Sequence, residues 1–467
     1  MDSGVRAHPY MPNSAPGLKA ELLDTLGVAL AEELFGQIPE SHRFREALAL
    51  PPALNSEVEL SRHMTAILSR NQSCADNLSF LGGGCWQHYV PAVCDEIVGR
   101  SEFLTPVWGT PSSDFGRNQA WFEFTSQLGE LVGFEMVGLP VYSWGCAVGH
   151  AIRMAARLTG RREVLVPQHL DPQRRAVIEN YCAAADPDKA IRLVDVKSDA
   201  NGVLDLGALG ALLSERTAAV YFENPNYLGQ IETGAAEIAA AARAAGAETI
   251  VGVDPISLGV LAPPSSYGAD IAVGSIQPLG IHMSGGGGLG GFIASRDEPR
   301  YAHEYPTLLN SIATTIKGER SFGMTLMHQS SYGSREEGKD WTGNSTYLWA
   351  ISSAVYMALL GPQGFRELGE LIVQRAHYAA ALIGEIDGVT VRHDGGFFKE
   401  FVVDFSGTGL TVATINERLR ARGIFGGLDL SRAFPDLGQS TLYCVTEIHS
   451  AADLDRLAAT LREVCAR

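Results

Sequence analysis

The sequence predicts an α/β protein, in which a large domain built on a mostly parallel β-sheet is followed by a small C-terminal α+β domain. The chain has 467 residues, which is more than one ordinary domain holds. From about residue 118 to residue 300, short apolar strands alternate with amphipathic helices, and from about residue 345 long helices precede the strands instead. Hydrophobic residues make up 46% of the chain and charged residues 19%, so it has enough apolar material for a large core.

The first part of the chain, residues 1–75, reads as a helical arm. The segments GLKAELLDTLGV and EVELSRHMTAILSRN carry apolar residues at i, i+3 and i+4 spacing, and the proline-containing ALALPPALN interrupts them. We expect this arm to pack on another surface.

Residues 76–340 are predicted to form the large domain. Five segments rich in Val and Ile indicate buried strands: REVLVPQ, KAIRLVDV, AAVYFENPN, TIVGVDP and DIAVGS. The segments NQAWFEFTSQLGELVGFE, AVGHAIRMAARLTG and AAEIAAAARAAGAE are typical of helices, and the last of these ends at Gly246, a usual residue just beyond a helix. This alternation predicts a parallel sheet covered on both faces.

Residues 341–467 are predicted to form the small domain. The helices TYLWAISSAVYMALLG and FRELGELIVQRAHYAAALIGEI come first. The strands VTVRH, EFVVDF and TLYCVTE follow, with the helices VATINERLRARG and SAADLDRLAATLREVCA between and after them.

The bulk composition excludes several function classes. A formal net charge of -17 argues against binding to nucleic acid or to anionic membranes. No apolar run reaches the roughly 18 residues of a membrane span, and the N-terminus lacks an apolar signal region. The seven cysteines form no CxxC and the twelve histidines form no HxH or HxxxH, so we expect free thiols, no metal site and a cytoplasmic location.

Asp254 ends an apolar strand in TIVGVDPISL, where a carboxylate is costly unless it is paired or hydrogen-bonded. In pyridoxal-phosphate (PLP) enzymes an Asp at such a strand end holds the pyridinium nitrogen protonated. The alternative is that Asp254 caps the turn that follows. The glycine run Gly285–Gly288 permits either close approach of a phosphate or a tight turn of the sheet.

Two further polar segments have a similar ambiguity. Asn224 and Asn226 in FENPNYLGQIE either contact a bound ring or close a turn. Ser143 lies at a predicted helix start in VYSWGCAVGHA, which either holds a phosphate on free N–H groups or is an ordinary N-cap.

Many segments, in order, resemble the P-protein of the glycine cleavage system, specifically subunit 1 of its split, two-gene form. The resemblance covers nearly the whole chain. The segments that carry it are HPYMPNSAPGLKAELLDTLGVALAEELFGQIPESHRFREALALPPALNSEVEL, FLGGGCWQHYVPAVCDEIVGRSEFLT, VDPISLGVLAPPSSYGADIAVG, MALLGPQGFREL, GGFFKEFVV, GIFGGLDLSRAFPDLG and CVTEIHS.

The resemblance implies the architecture of fold type I PLP-dependent transferases, with a seven-stranded type of sheet. It also implies a partner, subunit 2, that carries the Schiff-base lysine and binds PLP covalently, in a heterodimer or heterotetramer with this chain. In this family the assembled enzyme decarboxylates glycine and passes the aminomethyl group to the lipoyl arm of the H-protein.

The lysines of this chain agree with that implication. In fold type I enzymes the Schiff-base lysine lies just past the strand that follows the pyridinium Asp. Here that window is SIQPLG, with Gln277 and Pro278 and no lysine. Without an amine no internal aldimine forms, so this chain alone should not perform PLP chemistry. The six lysines lie elsewhere, at Lys19, Lys189, Lys197, Lys317, Lys339 and Lys399.

Four segments depart from the family's pattern. TPVWGTPSSDFGRN stands where the family has TPYQPEISQG, and YSWGCAVGHA where it has a segment like YDGATA. HMSGGGGLGGFI replaces SFGGPYLGFF, and REEGKDWTGNSTYLWA replaces a segment like REKATSNICTNQAL. These differences put glycine as the substrate in question.

Several functions therefore stay open at this point. The chain is the lysine-lacking subunit of a glycine decarboxylase, half of a pair adapted to another amino acid in specialised metabolism, or a scaffold or regulatory pseudoenzyme. A further alternative holds pyridoxamine phosphate non-covalently, with His282 as base. The expected pocket residues are Ser143, Asn226, Asp254 and Gln277, together with His282.

Overall fold

The computed structural model describes residues 10, 15–44, 46, 48–103, 111–286, 289–325, 339, 340, 342, 346–392 and 395–466, with the backbone alone at 16, 111–116, 324 and 325. The chain divides into two compact units, Met1–Asn71 and Gln72–Arg467. The division lies close to the predicted end of the arm at residue 75, whereas the predicted boundary at residue 340 falls inside the second unit.

The first unit is helical and exposes its apolar residues. Helix α1 spans Pro16–Leu26 and helix α2 spans Glu57–Leu68. The side chain of Ser56 caps α2 by accepting a hydrogen bond from the Glu59 N–H. None of the side chains described in this unit is buried, and Phe44 and Leu50 are 69% and 73% exposed. Short 3-10 helices lie between, at Ala31–Phe35 and Glu40–His42.

The second unit is built on a seven-stranded sheet. The strands are β2 Met136–Val137, β3 Glu163–Pro167, β4 Arg192–Val196, β5 Thr217–Glu223, β6 Glu248–Val253, β7 Ile271–Ser275 and β8 Gly291–Ser295. The order across the sheet is β2-β8-β7-β6-β5-β3-β4. Strands β3 to β7 run parallel, β8 is antiparallel to β7, and β2 is antiparallel to β8.

Helices cover both faces of this sheet, because the central strands are apolar on both sides. Along β5, Val220 and Phe222 face one core while Tyr221 faces the other, as the period of two requires. One core is completed by α4, α8 and α10, and the other by α5 and α6. The helices are α3 Ala92–Val98, α4 Pro111–Val132, α5 Trp144–Thr159, α6 Pro172–Cys182, α7 Leu206–Leu212, α8 Ala235–Ala244, α9 Pro299–Ala302 and α10 Tyr347–Gly384.

A smaller antiparallel sheet forms the C-terminal layer, in the order β11-β12-β15-β14. Helix α10 packs against both this layer and α4, and it breaks at Gly361, immediately before Pro362. The remaining elements are β11 Thr390–Val391, β12 Glu400–Asp404, α11 Val412–Arg420, β13 Ile424–Phe425, β14 Leu428–Asp429, β15 Ser440–Cys444 and α12 Ala451–Cys465.

Two strand pairs lie outside these sheets. Strand β1, Leu78–Ser79, pairs in parallel with β13, so the start of this unit joins its C-terminal layer. Strands β9, Leu309–Thr314, and β10, Arg320–Thr325, form a hairpin. Across the described ranges, we find no helix with the length and apolar character of a membrane span.

Candidate functional site

A small buried cavity lies at the carboxyl edge of the parallel strands, where residues that follow β5 and β6 meet the start of β12. This edge is where ligands bind in open α/β sheets. The cavity leaves only about 20 Å³ for the centre of a water-sized sphere, which is room for about one water molecule. Its lining includes Trp86, Trp144, Arg174, Glu223, Asn226, Asp254, Lys399 and Glu400.

Asp254 has two partners in this cavity. Its Oδ1 accepts a hydrogen bond from the Ile256 N–H at 3.1 Å, which caps the short helix Pro255–Gly259. Its Oδ2 lies 2.7 Å from Nζ of Lys399. Asp254 and Lys399 are only 4% and 2% exposed, so this is a buried ion pair. The turn-capping interpretation of Asp254 therefore describes one oxygen, and a cation from the C-terminal layer occupies the other.

The Lys399 ammonium group has two further neighbours. It lies 3.5 Å from the centre of the Trp86 ring and 3.1 Å from Nε2 of His88. An ammonium group only donates, so Nε2 of His88 accepts, and the imidazole proton is on Nδ1. Nδ1 then donates to Glu447 Oε2 at 2.7 Å. Burial alone would raise the pKa of Glu447, but the hydrogen bonds from His88 and the Tyr89 N–H lower it.

Gln277, in the window where a Schiff-base lysine is expected, is held by backbone groups. Its Oε1 accepts from the Trp86 N–H at 3.0 Å. Its Nε2 donates to the carbonyls of Trp86, at 2.9 Å, and of Ile281, at 3.1 Å. Gln277 thereby fixes the backbone of Trp86, and the indole of Trp86 contacts the Lys399 ammonium group.

A second buried cation, Arg174, lies on the other side of the cavity. Its guanidinium carbon is 3.7 Å from the centre of the Trp144 ring. Arg174 and the Tyr221 hydroxyl both donate to Oε1 of Glu223. Burial raises the pKa of the Glu223 carboxyl, although Arg174 opposes that rise.

Ser143 is the N-cap of α5. Its Oγ accepts a hydrogen bond from the Cys146 N–H at 3.2 Å. A Cβ at Gly291 would lie 2.2 Å from the Ser143 carbonyl oxygen, so strand β8 runs directly beside this helix start. The arrangement is that of an ordinary capped helix packed against a glycine.

Asn226 lines the cavity but turns its amide group away into a buried polar cluster. Its Nδ2 donates to Gly202 O at 2.9 Å and to Glu232 Oε1 at 3.0 Å. Its Oδ1 accepts from the N–H groups of Leu228 and Gln230. This side chain therefore closes the turn after β5.

His282 lies on the surface rather than in the cavity. Its side chain is 61% exposed and its Nε2 lies 3.0 Å from Oδ1 of Asp95. Parts of three segments that depart from the family pattern, at 105–110, 287–288, 335–338, 341 and 343–345, lie outside the described residues. Within the described residues, no group of three His, Cys, Asp or Glu side chains is arranged to hold a metal ion.

Sequence reasoning missed Lys399, Trp86, His88 and Arg174 as site residues. Lys399 carried one usable signal, because two adjacent charged residues, Lys399 and Glu400, precede the apolar residues of the strand in FFKEFVV. The other three gave no local signal, because they are distant along the chain from Asp254 and Lys399 and approach them only when the chain folds.

Comparison with solved structures defines the class of protein. The crystal structure of glycine decarboxylase (P-protein) of the glycine cleavage system, in inhibitor-bound form, matches 98% of this chain and 100% of that chain, with a TM-score of 0.86 and 32% identity. A sphingosine-1-phosphate lyase from Burkholderia pseudomallei shares the fold alone, with a TM-score of 0.64 and 14% identity. This chain has the fold of type I PLP-dependent enzymes.

Comparison with known sequences then gives the family. The glycine cleavage system P-protein family matches residues 9–461. The probable glycine dehydrogenase (decarboxylating) subunit 1 of Staphylothermus marinus is 34% identical over 466 residues, which cover 98% of each chain. The protein of the same name from Pyrococcus furiosus is 36% identical over 460 residues. The chain belongs to the glycine cleavage system P-protein family.

The residues present do not fit PLP in this cavity. The position on Asp254 that the pyridinium nitrogen would need is taken by the Lys399 ammonium group. The remaining space suits about one water molecule, which is far smaller than a pyridine ring with a phosphate group. Arg174, the second buried cation of the cavity, is already paired with Glu223.

Proposed function

We propose that this chain is subunit 1, the lysine-lacking half, of a PLP-dependent glycine decarboxylase. A subunit 2 homologue supplies the Schiff-base lysine and binds PLP, in a heterodimer or heterotetramer with this chain. Together they decarboxylate glycine and transfer the aminomethyl group to the lipoyl arm of an H-protein. The observation that carries the proposal is the buried Gln277, hydrogen-bonded to backbone in the place where the lysine is expected.

The position of Lys399 supports a cofactor held by the partner. A lysine that bound PLP covalently would attach to its aldehyde carbon, on the opposite side of the ring from the pyridinium nitrogen that the Asp would hold. Asp and lysine are therefore separated by the width of the ring. Lys399 instead lies 2.7 Å from Asp254, so it does not serve as a Schiff-base lysine in this arrangement.

The relatives support the partner. The proteins from Staphylothermus marinus and Pyrococcus furiosus are both named subunit 1, and this chain covers 98% and 99% of their lengths. A separate subunit 2 follows from that name. We place the complex in the cytoplasm, because all seven cysteines are free thiols.

The test is to purify this chain and its candidate subunit 2, separately and together, with added PLP. We expect an absorbance band at about 410–430 nm, typical of lysine-bound PLP, only when subunit 2 is present. We also expect glycine-dependent exchange of CO2 only from the pair. A borohydride-reducible band from this chain alone would contradict the proposal.

The same assay separates the other functions. Exchange with a different amino acid, and none with glycine, would indicate a pair adapted to another substrate. Full glycine activity from subunit 2 alone would indicate that this chain is a scaffold or regulator. Omitting the lipoyl H-protein from the assay tests whether it accepts the aminomethyl group.

A further inference from the structure

We propose that Lys399 is the permanent occupant of a cation site in this chain, and that this site is selective for primary ammonium groups. The Lys399 ammonium takes the place on Asp254 that a protonated ring nitrogen takes in PLP enzymes. The inference concerns the chain's own cavity and holds whether or not a partner completes the enzyme.

Burial makes the pairing obligatory. The side chains of Lys399 and Asp254 are 2% and 5% exposed, and a buried charge of either sign is costly without a partner. The ion pair joins two parts of the fold, because Asp254 follows β6 of the large sheet and Lys399 precedes β12 of the C-terminal layer.

The surroundings match an ammonium group. Lys399 Nζ lies 2.7 Å from Asp254 Oδ2, which is an ion pair without hydrogen-bond geometry, 3.1 Å from His88 Nε2, to which it donates, and 3.5 Å from the centre of the Trp86 ring. A carboxylate, an imidazole acceptor and an aromatic face select a primary ammonium group over a cation that has no N–H.

Gln277 makes this a preformed site. Its three hydrogen bonds to the backbone of Trp86 and Ile281 fix the segment that carries the indole. The residue in the lysine window therefore positions Trp86 against Lys399, and the site keeps its shape when the Lys399 side chain is shortened.

The experiment is chemical rescue of Lys399→Ala. This substitution removes the same heavy atoms that propylammonium contains. We expect it to lower the thermal midpoint of the full chain by about 3–5 °C, because it leaves Asp254 buried and unpaired. Propylammonium should recover at least half of that loss. Tetramethylammonium, with the same charge and no N–H, should recover none.

Two matched variants sharpen the test. Lys317→Ala removes an exposed lysine of the hairpin and should leave the midpoint and its response unchanged. Asp254→Asn combined with Lys399→Ala removes both charges. This double variant should fold, and propylammonium should not change its thermal midpoint. If Lys399→Ala does not fold while this double variant does, the result supports the site, because only the unpaired charge differs.

Three results would overturn the proposal. One is an equal midpoint for Lys399→Ala and Lys317→Ala. Another is a propylammonium response that persists in the double variant or that tetramethylammonium reproduces. The third is a double variant that fails to fold, which would mean that Lys399 is required for something other than its charge.

Discussion

At the scale of single residues, the cavity holds two buried cations that are each stabilised in the same way. Lys399 lies on Trp86 and against Asp254, while Arg174 lies on Trp144 and against Glu223. In each pair the carboxylate balances the charge of the cation, so neither cation is available to a bound anion. A buried pair contributes little net stability, but removal of one member is costly, about 3–5 kcal/mol.

Glu232 should make stability fall as pH rises. Burial raises its pKa from 4.5 to about 7, although Asn226 and the Leu204 N–H oppose the rise. The folded chain therefore keeps a proton that the unfolded chain loses between these values, so stability present below pH 4.5 is lost by about pH 7. The loss is on the order of 3 kcal/mol. Urea unfolding at pH 4.5 and pH 8 measures it.

Glu232→Gln should remove this part of the pH dependence, because the amide has no proton to lose in that range. Glu237→Gln, on the exposed side of α8, is the control and should retain the wild-type difference between the two pH values. Equal pH dependence in wild type and Glu232→Gln would show that Glu232 is ionised in the folded chain.

Gly229 should not tolerate a side chain. Its φ is +88°, and an added Cβ would lie 1.9 Å from the backbone oxygen of Glu400. We expect Gly229→Ala to lower the free energy of unfolding by at least about 3 kcal/mol, from backbone strain and overpacking together. Gly160→Ala, with φ +68° and no atom within 4 Å, should show the strain alone, about 1 kcal/mol. Equal losses would contradict the close approach of β12.

At the scale of elements, the start of α5 distinguishes a helix cap from a phosphate site. Ser143 caps the helix through the Cys146 N–H. We expect Ser143→Ala to lower the free energy of unfolding by about 1 kcal/mol and Ser143→Asp to retain it, since Asp is also a good N-cap. Neither change should alter the PLP content of the complex with subunit 2. Loss of PLP in Ser143→Ala would instead indicate a phosphate contact.

Helix α10 is the element that links the large sheet to the C-terminal layer. It contacts α3 and α4 near its start and α12 near its end. Gly361, with φ 59° and ψ 179°, allows the break between its two parts, in a backbone region open almost only to glycine. The same helix contacts the short helix Pro255–Gly259, which follows Asp254, and strand β12, which follows Lys399.

At the scale of the whole molecule, the arm, Met1–Asn71, and the body, Gln72–Arg467, are two compact units. The arm exposes large apolar side chains such as Phe44 and Leu50, which favours burial on a partner. We expect deletion of residues 1–71 to leave the circular dichroism and unfolding of the body unchanged. Affinity for subunit 2 should fall at least about tenfold. Unchanged affinity would place the partner contact on the body alone.

The sequence predicted most of the fold, since the central strands β3 to β7 match the five apolar segments recognised from their Val and Ile content, with β5 and β6 each beginning one residue earlier. Buried parallel strands leave such runs in any sequence. Strand β2 was missed because two residues carry no periodicity, and β8 because it follows the glycine run. The predicted helices in the body are present, and TYLWAISSAVYMALLG and FRELGELIVQRAHYAAALIGEI form the two parts of α10 on either side of the break at Gly361.

The sequence by itself determined the family, the fold class and the absence of a lysine from the window at Gln277. These follow from local patterns and from residue identity at each position. Only the tertiary structure decided what occupies Asp254, because Trp86, Gln277 and Lys399 are far apart along the chain and meet only through the packing of β12 and the loop before α3 against the large sheet. No local pattern records which distant charges will share a buried cavity.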